Sequence, residues 1–212
     1  FENTSDFMDV PIFYSFRRCP YAMRARMALL EACIQVELRE VVLRDRPEHM
    51  MKISPKGTVP VLLLPDGTVI EESLEIMLWS LDESWLVGDW KALIEGNDND
   101  FKHHLDRYKY NNRYENPLPP EEHRNEVVNI LEGYNQRLID FEYLCGDSCS
   151  ISDYALAPFV RQFANTDRAW FDELPLPHLH RWLSSILEDD IFANCMVKHP
   201  QWMDGDEPIF FG

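Results

Sequence analysis

Cys19 stands in the run Tyr14-Ser15-Phe16-Arg17-Arg18-Cys19-Pro20-Tyr21-Ala22, where a short apolar stretch gives way to an amphipathic helical pattern. Pro20 suits the first turn of a helix, because its fixed φ fits there and its missing N–H is not needed, which puts Cys19 at the N-cap. A thiolate in that place is stabilised by open backbone N–H groups and by the positive end of the helix dipole. Arg17, Arg18, Arg24 and Arg26 fall in the same turns of an otherwise acidic chain. The expected result is a nucleophilic thiol of lowered pKa. A cysteine taken alone is more often a small buried hydrophobe; here the following proline and the arginines argue for chemistry.

The elements that must position this thiol follow from changes of hydrophobic period. Pro11 to Ser15 reads as a buried strand, Pro20 to Ala32 as a helix with Met23, Met27 and Leu30 on its core face, and Val36 to Leu43 as a second strand. After the breaker-rich Ser54-Pro55-Lys56-Gly57, Val59 to Leu64 and Thr68 to Ile70 form a hairpin around Pro65-Asp66-Gly67. Glu72 to Leu81 returns to helical spacing. A β-α-β unit followed by a hairpin and a helix is the order of a thioredoxin-like domain, placed over residues 10–81. Beyond a linker around Asp82 to Asp89 no convincing strand pattern follows. Asp98 to Tyr114, Glu121 to Leu144, Ser152 to Phe163 and Leu176 to Ile186 read as helices, so residues 90–212 are expected to be an all-helical bundle domain.

Composition narrows the classes of partner. A chain of 212 residues with 45% apolar content is ample for a core, and its net charge of -17 excludes a general nucleic-acid or anionic-membrane binder. The local basic cluster at Cys19 suits a small anionic ligand. Five cysteines, an odd number without framework spacing, point to a reducing compartment. The acidic stretch Phe1 to Asp9 lacks the apolar core of a signal peptide, and Val59 to Leu64 is too short to span a bilayer, so a cytoplasmic protein is expected.

With Cys19-Pro20-Tyr21-Ala22, Val59-Pro60, Glu72-Ser73 and an all-α second half in this order, the chain resembles the glutathione S-transferase superfamily over nearly its whole length. It is most similar to the cysteine-type branch: the omega, dehydroascorbate-reductase and glutaredoxin-like members. The resemblance implies glutathione as co-substrate, with Cys19 forming a mixed disulfide with it. It implies that Pro60 is a cis-proline turning the Val59 backbone toward the tripeptide's cysteinyl part. Glu72 and Ser73 would receive the γ-glutamyl end, and Lys56 the glycyl carboxylate. Read without the family, Glu72-Ser73 would be a helix cap and Lys56 a solvated charge, while Pro60 could occupy a strand edge, although Val-Pro-Val inside a strand pattern favours a special peptide.

Ala22 occupies the second position of a Cys-x-x-Cys pair, and Cys33 lies ~21 Å along the helix from Cys19, so a monothiol cycle is expected. The implied activity is thiol transfer or reduction, such as deglutathionylation or dehydroascorbate reduction of a small-molecule or glutathionylated substrate. The alternatives are conjugation of glutathione to electrophiles, for which Tyr14, Ser15 and Tyr21 are the available hydroxyls, and a non-catalytic binding module. The resemblance also suggests a homodimer. Ser150-Ile151-Ser152-Asp153 reads as a capping box, and Cys145, Cys149 and Cys195 as packing residues. His104 with Tyr108, Tyr110 and Tyr114 falls on one expected helix, either packing or bordering a second-substrate pocket. Neither His103-His104 nor His178-x-His180 has a Cys or Asp nearby at ligand spacing, so no metal is expected.

Overall fold

Alternation within β1 (Ile12–Ser15) decides the layering of the first unit: Phe13 points to one face of a sheet, Ile12 and Tyr14 to the other. The computed structural model describes residues 9–212; the acidic opening segment therefore lies almost wholly outside the described residues. After β1 come α1 (Pro20–Glu31), β2 (Val36–Glu40), α2 (Glu48–Ile53), β3 (Val61–Leu63), β4 (Val69–Ile70) and α3 (Ser73–Ser80). β1 pairs parallel with β2 and antiparallel with β3, and β3 pairs antiparallel with β4. Phe13, Leu38 and Leu62 pack against Ala25 and Leu29 of α1 and Ile76 of α3. Tyr14 and Val61 pack on the opposite face with Val41, Met50 of α2 and Val59.

Several boundaries differ from those the sequence suggests. β2 stops at Glu40 because β1 ends opposite it, and the Val41 N–H closes the ladder on Ser15 O at 2.8 Å. α1 is buried around nearly its whole circumference, since it lies between the sheet, α3 and the chain's final helix; Leu30, expected in the core, is only partly covered. α2 has no sequence signature, because six residues give too little periodicity.

A second unit, Asp82–Asp189, is helical. It contains α4 (Trp90–Gly96), a π-type turn Asn97–Phe101, α5 (Lys102–Lys109), α6 (Pro120–Arg137), α7 (Ile151–Thr166), α8 (Arg168–Asp172) and α9 (Pro177–Leu187). α5 ends five residues before Tyr114, where Asn111 turns its amide back to the carbonyls of Arg107 (3.0 Å) and Leu118 (2.9 Å). Tyr110 and Tyr114 are therefore off the helix that carries Tyr108. α6 ends seven residues before Leu144, and Arg181 captures the carbonyls of Leu138 and Phe141 at 3.1 and 3.2 Å. Asp153 closes the start of α7: its carboxylate accepts from the N–H groups of Ser150 (2.8 Å) and Leu144 (3.0 Å) and from Trp182 Nε1 (2.8 Å).

The last segment corrects the expectation of helix to the end. α10 (Asp190–Cys195) and β5 (Ile209–Phe211) belong with the first unit, not the helical one. β5 pairs antiparallel with β2 and completes the order β4-β3-β1-β2-β5, with Phe211 in the core beside Val36 and Leu38. A three-residue strand has no period to read; its existence depends on the open edge of β2. Among the described residues no helix is long and apolar enough to cross a membrane.

Candidate functional site

Cys19 is the N-cap of α1, with extended backbone (φ −75°, ψ 120°) and Pro20 in the first helical position. Its N–H donates to Phe16 O at 3.0 Å and its carbonyl accepts the Met23 N–H at 2.9 Å, so the helix opens at the thiol. The side chain is half-buried against the cluster around Tyr14, Val41 and Met50. Its Sγ lies 3.9 Å from the carbonyl oxygen of Val59, and the Val59–Pro60 peptide is cis.

The four neighbouring arginines do not form one anion-binding cluster. Arg26 is buried and holds the loop before Cys19: it donates to Ser15 Oγ (2.5 Å), Phe16 O (3.2 Å) and Arg17 O (2.6 Å), and its Nε reaches Cys195 O at 2.9 Å. It thereby ties the Cys19 loop to α10. Arg24 is buried too, and its Nε donates to Ser73 Oγ at 2.9 Å. Glu40, beside Arg26, accepts the Arg17 N–H at 2.8 Å. Burial pushes the Glu40 carboxyl above its ordinary pKa, against the opposing pull of that bond and of Arg26 and Arg17.

Lys56, Val59, Pro60, Glu72 and Ser73 are brought to the same unit by two ties between the α2–β3 loop and the start of α3. Ser54 Oγ donates to Glu71 Oε2 at 2.5 Å, and Lys56 Nζ is ion-paired with Glu72 Oε1. Gly57 shapes that loop: its φ of +67° is the left-handed region, and a Cβ there would meet Met51 Sδ at 3.0 Å. Arg46 fixes it by donating to Gly57 O at 2.6 Å. Glu72 and Ser73 are the N-cap and first residue of α3; Glu72 is exposed and Ser73 buried. The loop backbone, a charged pair and a helix start thus stand with a half-buried thiol on one sheet.

Of the hydroxyls read as alternatives, Tyr14 and Ser15 are fully buried and engaged. Ser15 accepts from Arg26, while Tyr14 accepts from Arg39 at 2.8 Å and donates to His49 Nδ1. Burial raises the Tyr14 pKa, with Arg39 opposing, and lowers that of His49. No local pattern announces this Tyr14–His49–Arg39 chain or Trp202, whose ring lies under Arg39 at 4.2 Å.

In the helical unit, Tyr108 packs on Phe163, whereas Tyr110 and Tyr114 lie under Arg113 and Arg107. His103 and His104 have no third ligand beside them in the chain; the fold adds His123 from α6.

Two family models match the chain: the glutathione S-transferase N-terminal domain over residues 13–84 and the C-terminal domain over residues 103–185. The chain belongs to the glutathione S-transferase superfamily. Among curated members it is similar to glutathione S-transferase omega-1 of Mus musculus, 26% identical over 206 residues, covering 85% of this chain and 78% of that one. A probable glutathione transferase of Aplysia californica is 42% identical over 55 residues, 26% of this chain and 60% of that protein. The fold matches a glutathione transferase family member from Pseudomonas fluorescens, solved with two glutathione bound, at a TM-score of 0.76 and 17% identity, covering 91% of this chain and 95% of the other. In superfamily terms, Cys19 stands at the start of the first helix of the N-terminal domain.

Proposed function

We propose that this superfamily member is a glutathione-dependent thiol transferase working through a monothiol Cys19–glutathione disulfide. The observation that carries the reading is the placement of Cys19 at the open start of α1, 3.9 Å from the Val59 carbonyl beside the cis Val59–Pro60 peptide. A thiolate there is stabilised by the helix end, and the Val59 backbone is an edge on which a bound peptide can pair.

Glutathione fits the residues around it. Its cysteinyl part would pair with the Val59 backbone next to Cys19. Ser73 Oγ already accepts from Arg24, so its O–H is left to donate to the γ-glutamyl carboxylate at the start of α3. Glu72 would take the ammonium, and Lys56, released from Glu72, the glycyl carboxylate.

The Cys19 thiolate attacks the glutathione sulfur of a mixed disulfide; the Cys19–glutathione disulfide forms and the substrate leaves as its thiolate, which takes a proton from water. A second glutathione thiolate then attacks the bound glutathione sulfur, giving glutathione disulfide and restoring the Cys19 thiolate. Ala22 leaves no thiol one helical turn away to compete with this exchange. Conjugation is disfavoured because Tyr14 spends its hydroxyl on His49 and Arg39, and Ser15 is fully buried against Arg26.

Intact mass after incubation with glutathione disulfide tests the reading: one glutathione should add to the wild type and none at that position in Cys19→Ser, which should also lose thiol transfer. Retention of transfer by Cys19→Ser would overturn it.

A further inference from the structure

The helical unit holds a cluster that glutathione chemistry does not use. His103 and His104 of α5 and His123, in the opening turns of α6, each offer a nitrogen, and the three atoms lie within 4.8 Å of one another. His104 Nδ1 and His123 Nδ1 are 2.9 Å apart. His123 is only 2% exposed, and its Nε2 is buried without a hydrogen-bond partner. Such a set is poorly explained by packing, because two facing Nδ1 atoms repel when both are bare and three adjacent imidazoles repel when charged.

We propose that His103, His104 and His123 bind one transition-metal cation of the Zn2+ class through three imidazole nitrogens, with a fourth position open to the adjoining cleft. Tetrahedral Zn–N bonds of about 2.0–2.1 Å set ligand nitrogens roughly 3.3 Å apart. The 2.9 Å pair and the 4.8 Å outer limit bracket that spacing; rotation of the exposed His103 ring brings its nitrogen in, and a few tenths of an ångström of opening between His104 and His123 admits the cation. Without a cation, the facing Nδ1 atoms need a proton between them. A cation takes its place, each of those two rings then keeping its proton on Nε2, so no net proton is released.

The surroundings suit neutral ligands. Burial, then the nearby charges of Arg107 and His104, lowers the pKa of His103; burial and the other two histidines do the same for His123. Asp100, Asp106 and Glu122 oppose the shift without joining the ligand set. Arg107 is held by His103 O at 3.1 Å and by the Tyr114 ring. The cleft beside the cluster, about 410 Å3 and lined also by Glu115 and Leu118, has room for a water or exchangeable ligand on the metal. Three imidazoles without a carboxylate select Zn2+, Co2+ or Ni2+ over Mg2+ and Ca2+.

Titration of the full chain with Co2+, its reactive thiols first alkylated, tests the site. One equivalent should bind with the strong visible absorption of tetrahedral cobalt, be displaced by Zn2+ and be unaffected by excess Mg2+. H103Q and H104Q should each weaken binding by more than the ~10–100-fold typical of losing an outer-shell partner, while H178Q should bind like the wild type. His103 is exposed, so H103Q keeps the test valid if H123Q fails to fold. Absence of saturable Co2+ binding, or binding unchanged in both H103Q and H104Q, overturns the proposal.

Discussion

Arg24 Nε donates to Ser73 Oγ at 2.9 Å, and both side chains are buried. The bond joins α1, which Cys19 opens, to the first residue of α3, and it decides which way the serine hydroxyl is spent. With one lone pair taken by the guanidinium, Ser73 is turned into a donor.

Arg24→Met should therefore act on both folding and binding. Losing a buried hydrogen bond from a charged group costs about 1.5–3 kcal/mol, measurable as a lower urea midpoint. The glutathione KM should rise with little change in kcat, and Arg24→Lys should restore part of both, because an ammonium can still donate.

Tyr14→Phe separates the two kinds of chemistry. Arg39 and His49 lose a buried partner, so stability should fall by about 1–2 kcal/mol. The rate of glutathione addition to Cys19 should stay at the wild-type value, since Tyr14 Oη is already committed. A large fall in that rate, seen by intact mass against time, would show that the hydroxyl serves the thiol.

Asp153 accepts donors on both oxygens, two backbone N–H groups and the Trp182 indole among them. Asp153→Asn sets an amide NH2 against at least one of those donors. The expected loss is about 2–4 kcal/mol, read by denaturant unfolding.

Acid should weaken the fold through its histidines. His49, His103, His123 and His199 all have pKa values lowered from 6.5, burial being the first cause for each. An unfolded chain then holds more protons just below pH 6.5, so this stability is present above that pH and is lost as pH falls through the folded values. Glu40 and Asp153, whose pKa values burial raises, act in the opposite sense. Comparison with His49→Gln isolates the histidine share: the urea midpoint should drop less between pH 7.5 and 5.5 in the variant than in the wild type.

Much of the first unit was legible because its signals are local. Pro20 after Cys19 marks a helix start, Pro65-Asp66-Gly67 marks a turn, and the alternation in β1 needs only four residues to name its two faces. Ser150 and Asp153 likewise announce α7 through a bond spanning three residues. Glu72-Ser73 and Val59-Pro60 were readable as a pair of motifs, although the Lys56–Glu72 ion pair that joins their loops was not.

Sequence by itself determined the cysteine that opens α1, the helix it caps and the succession of β1 to α3, because each depends on neighbours within about one helical turn or one hairpin. Tertiary structure decided how the arginines are spent, since Arg26 meets Cys195 across 169 positions and Arg24 meets Ser73 across 49. It also decided that Phe211 completes the sheet on β2 and that His123 joins His103 and His104. A buried guanidinium, an open strand edge and an unshared lone pair all take their partners from whatever the fold brings within about 3 Å, and no local pattern specifies that choice.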